Sequence, residues 1–319
     1  MTPEAFRLLH ELGSGRPISL GSCAARHGSS VEDLRRRIDE IRVAGAPVEQ
    51  ASADAFRLRW PIDFLDAAAI RGIVGPGADA VEVHDQLDST NRFLADHFSH
   101  RKAVLAEFQH AGRGRRGRAW QSPPGCGIWL SFGYRFDCGL ARLSALSLAV
   151  GVAISEALPA AVGLKWPNDL LAEGGKLGGV LIEARGGATG GCEVAIGVGV
   201  NVRLPASSGG SGPGAQRDPP WTDLFRQASE TVDRSRLAGQ LIAALNTACA
   251  IFDRDGFEAF AERWRARDVL AGREVVVHRA GEPQVQGLAE GVDEQGRLRV
   301  GAGPARRLFD SGEVSVRVC

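Results

Sequence analysis

Lysine is scarce in this 319-residue chain: of 38 basic residues only Lys102, Lys165 and Lys176 are lysine. A generic surface cation is therefore arginine here, so a lysine beside unusual neighbours is informative. Net charge is lacking as well, since 38 acidic residues balance the basic ones. The whole molecule thus offers no electrostatic case for nucleic acid or a membrane surface. Cys23, Cys126, Cys138, Cys192, Cys249 and Cys319 show no paired spacing, and the seven histidines show no ligand spacing. That argues against a zinc site or a disulfide framework and fits a reducing cytoplasm. No basic-then-apolar segment opens the chain, so a secretory signal is not expected. The longest weakly charged run, 143–164, carries only Glu156 but is interrupted by Pro159. It falls short of the ~20 residues a membrane span needs, and a buried core helix is expected instead. At this length two or three domains with a sizeable core are expected.

What is present is concentrated in a few motifs. Residues 112–120 read Gly-Arg-Gly-Arg-Arg-Gly-Arg-Ala-Trp, with Arg113, Arg115, Arg116 and Arg118 set between Gly112, Gly114 and Gly117. Glycine lets backbone approach a ligand closely, and guanidinium groups grip phosphates and carboxylates through forked donors. Such a loop suits a site that closes over an anion; the bland alternative is a solvated basic loop. The glycines also match a dinucleotide fingerprint, but that motif must open a helix. Here Ser122-Pro123-Pro124-Gly125 leads into Ile128–Phe136, which alternates like a strand, and no helix is expected. Lys165 lies in Lys-Trp-Pro-Asn-Asp169, and Lys176 lies in the glycine cluster 174–179. An ammonium is a compact point charge that meets phosphate or carboxylate differently from arginine.

Three units follow along the chain. In the first, helices are expected over 3–12 and 19–27, the latter ended by Gly28. A third begins at Ser30, with Asp33 in its first turn and Val31, Leu34, Ile38 and Ile41 on one face. Strands over 46–50 and 56–60 complete the pattern of a winged helix-turn-helix, residues 1–62. The second unit, 63–265, mixes strands near 81–87, 104–108, 128–136, 177–183 and 193–202 with helices after Ser89-Thr90, at 143–158 and across 237–265. Helices and strands that do not strictly alternate indicate an α+β layer fold. A Ser-Gly-Pro-rich run, 207–214, reads as a mobile loop, either a lid or a linker. The last unit, 266–319, shows short strands separated by turn residues, the mark of a small β-barrel, and no catalytic constellation.

These motifs together resemble the biotin protein ligases, and with the first unit the chain is similar to the bifunctional bacterial form that also represses transcription. The resemblance rests on Asp88-Ser-Thr-Asn91, Gln109, the 112–120 loop, 165–169, Lys176-Leu-Gly-Gly-Val-Leu-Ile-Glu183 and Gly197-Val-Gly-Val-Asn201-Val202, in family order. Lipoate ligases share the fold, but the arginine–glycine loop and Lys-Trp-Pro-Asn-Asp point to the biotin branch.

The resemblance implies a winged helix-turn-helix, a class II synthetase-like α+β catalytic domain and an SH3-like barrel. It implies that biotin and Mg-ATP form biotinyl-5′-adenylate, which a lysine of the biotin carboxyl carrier protein of acetyl-CoA carboxylase then attacks. ATP and Mg2+ are then co-substrate and ion, with no bound prosthetic group. By position Ser89, Thr90, Asn91, Gln109, Arg113, Gly114, Arg115 and Lys165 match biotin-site residues, Arg115 and Lys165 being the catalytic pair. Ser89 and Thr90 could equally cap the next helix. Arg116, Arg118, Lys176, Asn201 and Trp221 fall on the ATP or adenylate side, and Trp221 is either an adenine lid or a core anchor. Metal ligands are not identified.

A homodimer forming on adenylate binding and contact with operator DNA are also implied. Arg35, Arg36 and Arg37 are the candidate DNA contacts, or else a solvated helix face. Residues 1–65 hold nine arginines against nine acidic residues, and Glu32 and Asp33 occupy the first turn of the recognition helix, so DNA binding is expected to be weak. A ligase with a vestigial docking module, or a biotin-sensing regulator without catalysis, are the alternatives.

Overall fold

The computed structural model describes residues 1–75, 80–187, 190–205, 219–227, 232–279, 281–301, 306–312 and 314–318. The Ser-Gly-Pro run 207–214 and Cys319 lie outside them. The chain opens with α1 (Pro3–Leu12), a short strand β1 (Ile18–Ser19), α2 (Leu20–His27) and α3 (Val31–Val43). Side-chain oxygens of Thr2, Ser19 and Ser30 cap the three helices, and Ser30 with Asp33 forms a reciprocal capping box. Leu34, Ile38 and Ile41 are buried as their spacing requires, but Val31 is 37% exposed. It sits in the first turn, beyond the reach of α1 and α2. Strands β2 (Val48–Ser52) and β3 (Ala55–Leu58) form a hairpin, and β1 adds to β3 in a three-stranded sheet.

The central layer is a seven-stranded sheet. Its strands are β4 (Val81–Leu87), β5 (Ala103–Gln109), β6 (Gly127–Phe136), β7 (Gly163–Lys165), β8 (Asp169–Ala172), β9 (Gly175–Gly186) and β10 (Cys192–Asn201). The order is β4-β5-β6-β10-β9-β8-β7, parallel only between β4 and β5. Helices α4 (Ala67–Val74), α5 (Thr90–Asp96), α6 (Leu146–Ala157), α7 (Leu224–Gln227), α8 (Arg234–Asp255) and α9 (Glu258–Arg265) surround it. The single helix expected across 237–265 is two, divided at Gly256, whose φ of 68° ends α8. The strands β7 and β8, absent from the sequence reading, are too short to show alternation. Helix α6 is the expected core helix: most of it, including Leu146, Val150 and Ile154, is fully buried, and it packs on α8, α9 and β9.

Period-two alternation assigns the sheet two roles. Ile128, Leu130, Phe132, Val194, Ile196 and Val198 join one apolar core with α6 and α8. On the opposite face Val104 and Ala195 meet Leu94 of α5. Where α5 ends its cover, β10 presents glycine on this face. Gly197 pairs with Ser131 and Gly199 with Trp129, leaving a hollow.

The chain closes with β11 (Glu274–Arg279), β12 (Val285–Val292), β13 (Leu298–Val300), β14 (Arg307–Phe309) and β15 (Val314–Val318), an antiparallel sheet in the order β14-β13-β12-β11-β15. Among the described residues no pairing joins β14 to β15, so the expected barrel is, in its hydrogen bonds, an open sheet. Its Val275, Val277 and Val316 belong to the same apolar core as the central layer, whereas residues 5–62 form a core of their own. The two cores meet at β5. Phe108 packs against the first unit, while Glu107 makes a fully buried ion pair with Arg234 at 2.8 Å. Arg234 also donates to the carbonyls of Asp63 and Gly127, and Leu65 N–H donates to Glu107, so this pair clamps the linker between the units. A buried pair so fully hydrogen-bonded offsets its desolvation cost.

Candidate active site

A cavity of about 460 Å3 opens over the Gly197–Gly199 hollow. Close approach explains the glycines. A Cβ on Gly197 would lie 2.6 Å from Asn91 Oδ1, and one on Gly199 would lie 2.8 Å from the Trp120 indole. One end of the cavity is a polar network at the start of α5. Ser89 occupies the N-cap position but makes no side-chain capping bond, and it is buried against the cavity. Thr90 donates both its N–H and its hydroxyl to Gln109 Oε1, at 2.9 and 3.1 Å. Gln109 Nε2 donates to Ser122, and the Ser131 hydroxyl lies 2.8 Å from Thr90 Oγ1 and 2.6 Å from Asn91 Oδ1. Asn91 Nδ2 donates to Glu183 at 2.9 Å, and Arg113 pairs with the same carboxylate at 3.3 Å.

The arginine–glycine loop forms the roof. Gly114 N–H bonds Arg118 O and Trp120 N–H bonds Gly112 O, so the loop folds back on itself. Arg116 sits at the tip with φ 60°. Arg115 reaches across the cavity, where one nitrogen donates to Asn168 Oδ1 at 3.2 Å and the other to the carbonyl of Ser311. Burial pushes the Arg115 pKa below its ordinary value, though arginine remains charged. Asn168 is itself fixed by donating to Val180 O at 2.7 Å. At the other end Lys176 Nζ meets Asp169 at 2.5 Å and lies 5.5 Å from the Trp120 ring centre. Trp120 stacks on Trp221 with centroids 5.6 Å apart.

Seven cationic side chains, Arg113, Arg115, Arg116, Arg118, Lys165, Lys176 and Arg317, line this cavity against one lining carboxylate, Asp169, among the described residues. A positive field of this density, walled by low-dielectric protein, concentrates polyanions. The structure brings together Ser89, Thr90, Asn91, Gln109, Gly114 and Trp221 with those cations. It does not bring in Asn201. That side chain is fully buried outside the cavity and donates to the carbonyls of Lys176 and Thr222, bracing the strand that carries Lys176. Arg35, Arg36 and Arg37 lie on α3 and are not in the cavity lining. Arg36 is paired with Asp33, and Arg35 reaches Ala53 O at 3.5 Å. The sequence reading found no site residues in the last unit, yet Val314, Ser315, Val316 and Arg317 of β15 line the cavity. Nothing in an alternating Val-Ser-Val-Arg-Val strand distinguishes that arginine from a solvent-facing one.

Residues 83–201 match the Biotin/lipoate A/B protein ligase family, and 271–317 match the Biotin protein ligase C terminal domain. The chain belongs to the biotin protein ligases: it is 33% identical over 91% of its length to the bifunctional ligase/repressor BirA of Escherichia coli, spanning 90% of that protein. It is 34% identical to the biotin–[acetyl-CoA-carboxylase] ligase of Mycobacterium tuberculosis, over 82% of this chain and 98% of that one. The solved Aquifex aeolicus biotin protein ligase in complex with biotin and ATP superposes with a TM-score of 0.61 at 26% identity, over 75% of this chain and 99% of the other.

Proposed function

We propose that the cavity joins biotin to AMP and that the protein then passes biotin to a lysine of a biotin carboxyl carrier protein. The observation that carries this reading is the convergence of seven cations on a cavity that has a neutral, hydrogen-bonding pocket at one end. Biotin's neutral ring system has its donors and acceptors met by Ser89, Thr90, Asn91 and Gln109, whose hydroxyl and amide groups offer both roles. Its carboxylate and the ATP phosphates repel one another, and Arg115 and Lys165 offset that repulsion at the reacting centre. The carboxylate oxygen attacks the α-phosphorus, the bond to the β-phosphate breaks and pyrophosphate leaves. The carrier lysine, as free amine, then attacks the acyl carbon, an amide forms and AMP leaves with the bonding electrons. The 112–120 loop shields the mixed anhydride from water.

Asp169, the one carboxylate lining the cavity among the described residues, would hold a magnesium ion carried in by the nucleotide through the oxygen that Lys176 does not contact, since Mg2+ needs only one or two protein carboxylates besides phosphate oxygens. Such an ion would neutralise phosphate charge. Arg116, Arg118, Lys176 and Arg317 face the phosphate side, and the stacked Trp120–Trp221 pair offers an aromatic wall for adenine. We assign residues 1–62 to a winged helix-turn-helix domain, 63–265 to the catalytic domain and 266–319 to a small domain whose five-stranded sheet we read as an SH3-like barrel without hydrogen-bonded closure among the described residues, all working in the cytoplasm.

Repression by an adenylate-promoted homodimer is the second reading. It is favoured by the three-helix unit with its hairpin and by the similarity to a ligase/repressor over nearly the whole chain. Arg35, Arg36 and Arg37 remain the proposed DNA contacts, and a local charge near zero keeps a single unit's affinity low. The ligase reading is tested by biotin-dependent exchange of labelled pyrophosphate into ATP. Wild-type protein supports it and Lys165→Ala reduces it at least tenfold; equal rates would remove Lys165 from the reaction. The repressor reading is tested by a low-salt mobility shift on palindromic DNA upstream of biotin-synthesis genes. A shift that requires biotin and ATP supports it, and none under those conditions refutes it.

A further inference from the structure

Sequence spacing spoke against a zinc site, because the cysteines and histidines are scattered. The fold gathers three donors from two helices. Cys23 and His27 stand four residues apart on α2, so both side chains face the same way. Glu11, near the end of α1, faces them. Its carboxylate contacts His27 Nε2, and Cys23 Sγ lies 3.9 Å from its Oε2. The sulfur, ring nitrogen and carboxylate oxygen all lie within 4.8 Å of one another.

We propose that Glu11, Cys23 and His27 form a three-ligand site for a divalent transition ion of the zinc class. The donor set carries the choice of ion. One thiolate, one imidazole and one carboxylate suit a borderline-soft tetrahedral cation and discriminate against magnesium or calcium, which take oxygen ligands. Charge closes too, since thiolate and carboxylate together balance a dication, so the ion is held against the apolar core without an uncompensated charge. A tetrahedral ion needs these atoms roughly 3.3–3.6 Å apart, given metal–ligand lengths of about 2.0–2.3 Å. The sulfur closes toward the carboxylate by a few tenths of an ångström and toward the ring nitrogen from within 4.8 Å, while the histidine opens away from the carboxylate. Arg26, which holds Glu11 at 2.9 Å, is half exposed on the surface side and swings out, leaving water as the fourth ligand. On binding, the Cys23 S–H bond breaks, the sulfur–metal bond forms and the proton passes to solvent. The ion staples α1 to α2, the helix that precedes the one carrying Arg35–Arg37. This site is independent of the ligase cavity.

The test uses the full chain, without nucleotide, titrated with Co2+ as a spectroscopic probe and then with Zn2+. The expected result is one ion per chain, a thiolate-to-cobalt charge-transfer band that zinc abolishes, and a Tm raised by zinc. His27→Gln, an exposed change that leaves the core intact, should weaken binding by ~100-fold or more, since even loss of a group behind a ligand costs about 10–100-fold. Cys23→Ser should remove the charge-transfer band. Two results overturn the proposal: no saturable binding by wild type, or wild-type affinity and spectrum in His27→Gln, which would put the ion elsewhere.

Discussion

Gly197→Ala perturbs the cavity wall by a single methyl group. The new Cβ would stand 2.6 Å from Asn91 Oδ1 and 3.0 Å from both its Cγ and Nδ2, so something must shift. The Asn91 amide cannot step aside freely. It is held by Ser131 at 2.6 Å, by Glu183 at 2.9 Å and by the Leu181 carbonyl of β9 at 3.4 Å. The amide is therefore driven toward the cavity, and a ligand filling that space has to force it back. Overpacking of this kind costs about 1–3 kcal/mol. At about 1.4 kcal/mol per decade that is roughly a five- to 150-fold rise in the biotin concentration for half-maximal pyrophosphate exchange. ATP dependence should change much less, because Asn91 lies at the end of the cavity away from Lys176. Gly72→Ala, on an exposed face of α4 with nothing within 4 Å of its Cβ among the described residues, is the control and should leave both unchanged. A Gly197→Ala enzyme with wild-type biotin dependence and wild-type Tm would refute the placement of biotin against Asn91.

Arg115→Gly removes the guanidinium that spans from the loop to Asn168 and the Ser311 carbonyl. The variant should release biotinyl-adenylate faster and acylate bystander amines, and adenylate retention equal to wild type would contradict the role assigned to Arg115. The 112–120 loop exposes several arginines, so biotin with ATP should protect it from trypsin, whereas equal cleavage with and without ligands would count against ordering of the loop over product. Burial raises the Asp268 pKa to about 6 in the folded state, with Oδ2 lacking a hydrogen-bond partner among the described residues. The folded state thus favours the protonated acid, and stability conferred below the unfolded value near 4 is lost as pH rises through 6. Asp268→Asn mimics the protonated form, so its stability relative to wild type should improve by up to about 3 kcal/mol between pH 4 and pH 7, as measured by urea unfolding. A difference that stays constant across that range would contradict the burial of this charge.

Local signals in the sequence carry the helices of the first unit almost residue by residue, because Ser19, Gly28, Ser30 and Asp33 are capping residues whose chemistry acts within a few positions, whereas its strands, expected at 46–50 and 56–60, run 48–52 and 55–58, and β1 is an addition. The long strands β6 and β10 are legible for a similar reason: each is apolar or small at most of its ten positions and bounded by turns. Several short elements are not legible, although β13 is, between its turns. β7, β8 and β14 are three or four residues long, and their pairing partners, not their own composition, hold them extended. The site divides along the same line. The arginine–glycine loop and Lys165–Asp169 announce themselves by composition. Asn201 shares the glycine-rich motif of β10, yet the strand turns it into the protein, where it braces Lys176 and Thr222. Arg317 and Glu183 act on the cavity through tertiary placement alone. So does the Ser311 carbonyl, nearly two hundred residues from the arginine it holds.

We expect this one cavity both to activate biotin and to deliver it to a protein lysine. The most direct measurement is intact-mass analysis of a biotin carboxyl carrier domain after incubation with this protein, biotin and Mg-ATP. One biotin should be added as an amide at a single lysine of the carrier, with AMP and pyrophosphate released in equal amounts, and Lys165→Ala should suppress the addition. A carrier of unchanged mass with wild-type protein, under conditions where both substrates bind, would contradict the account.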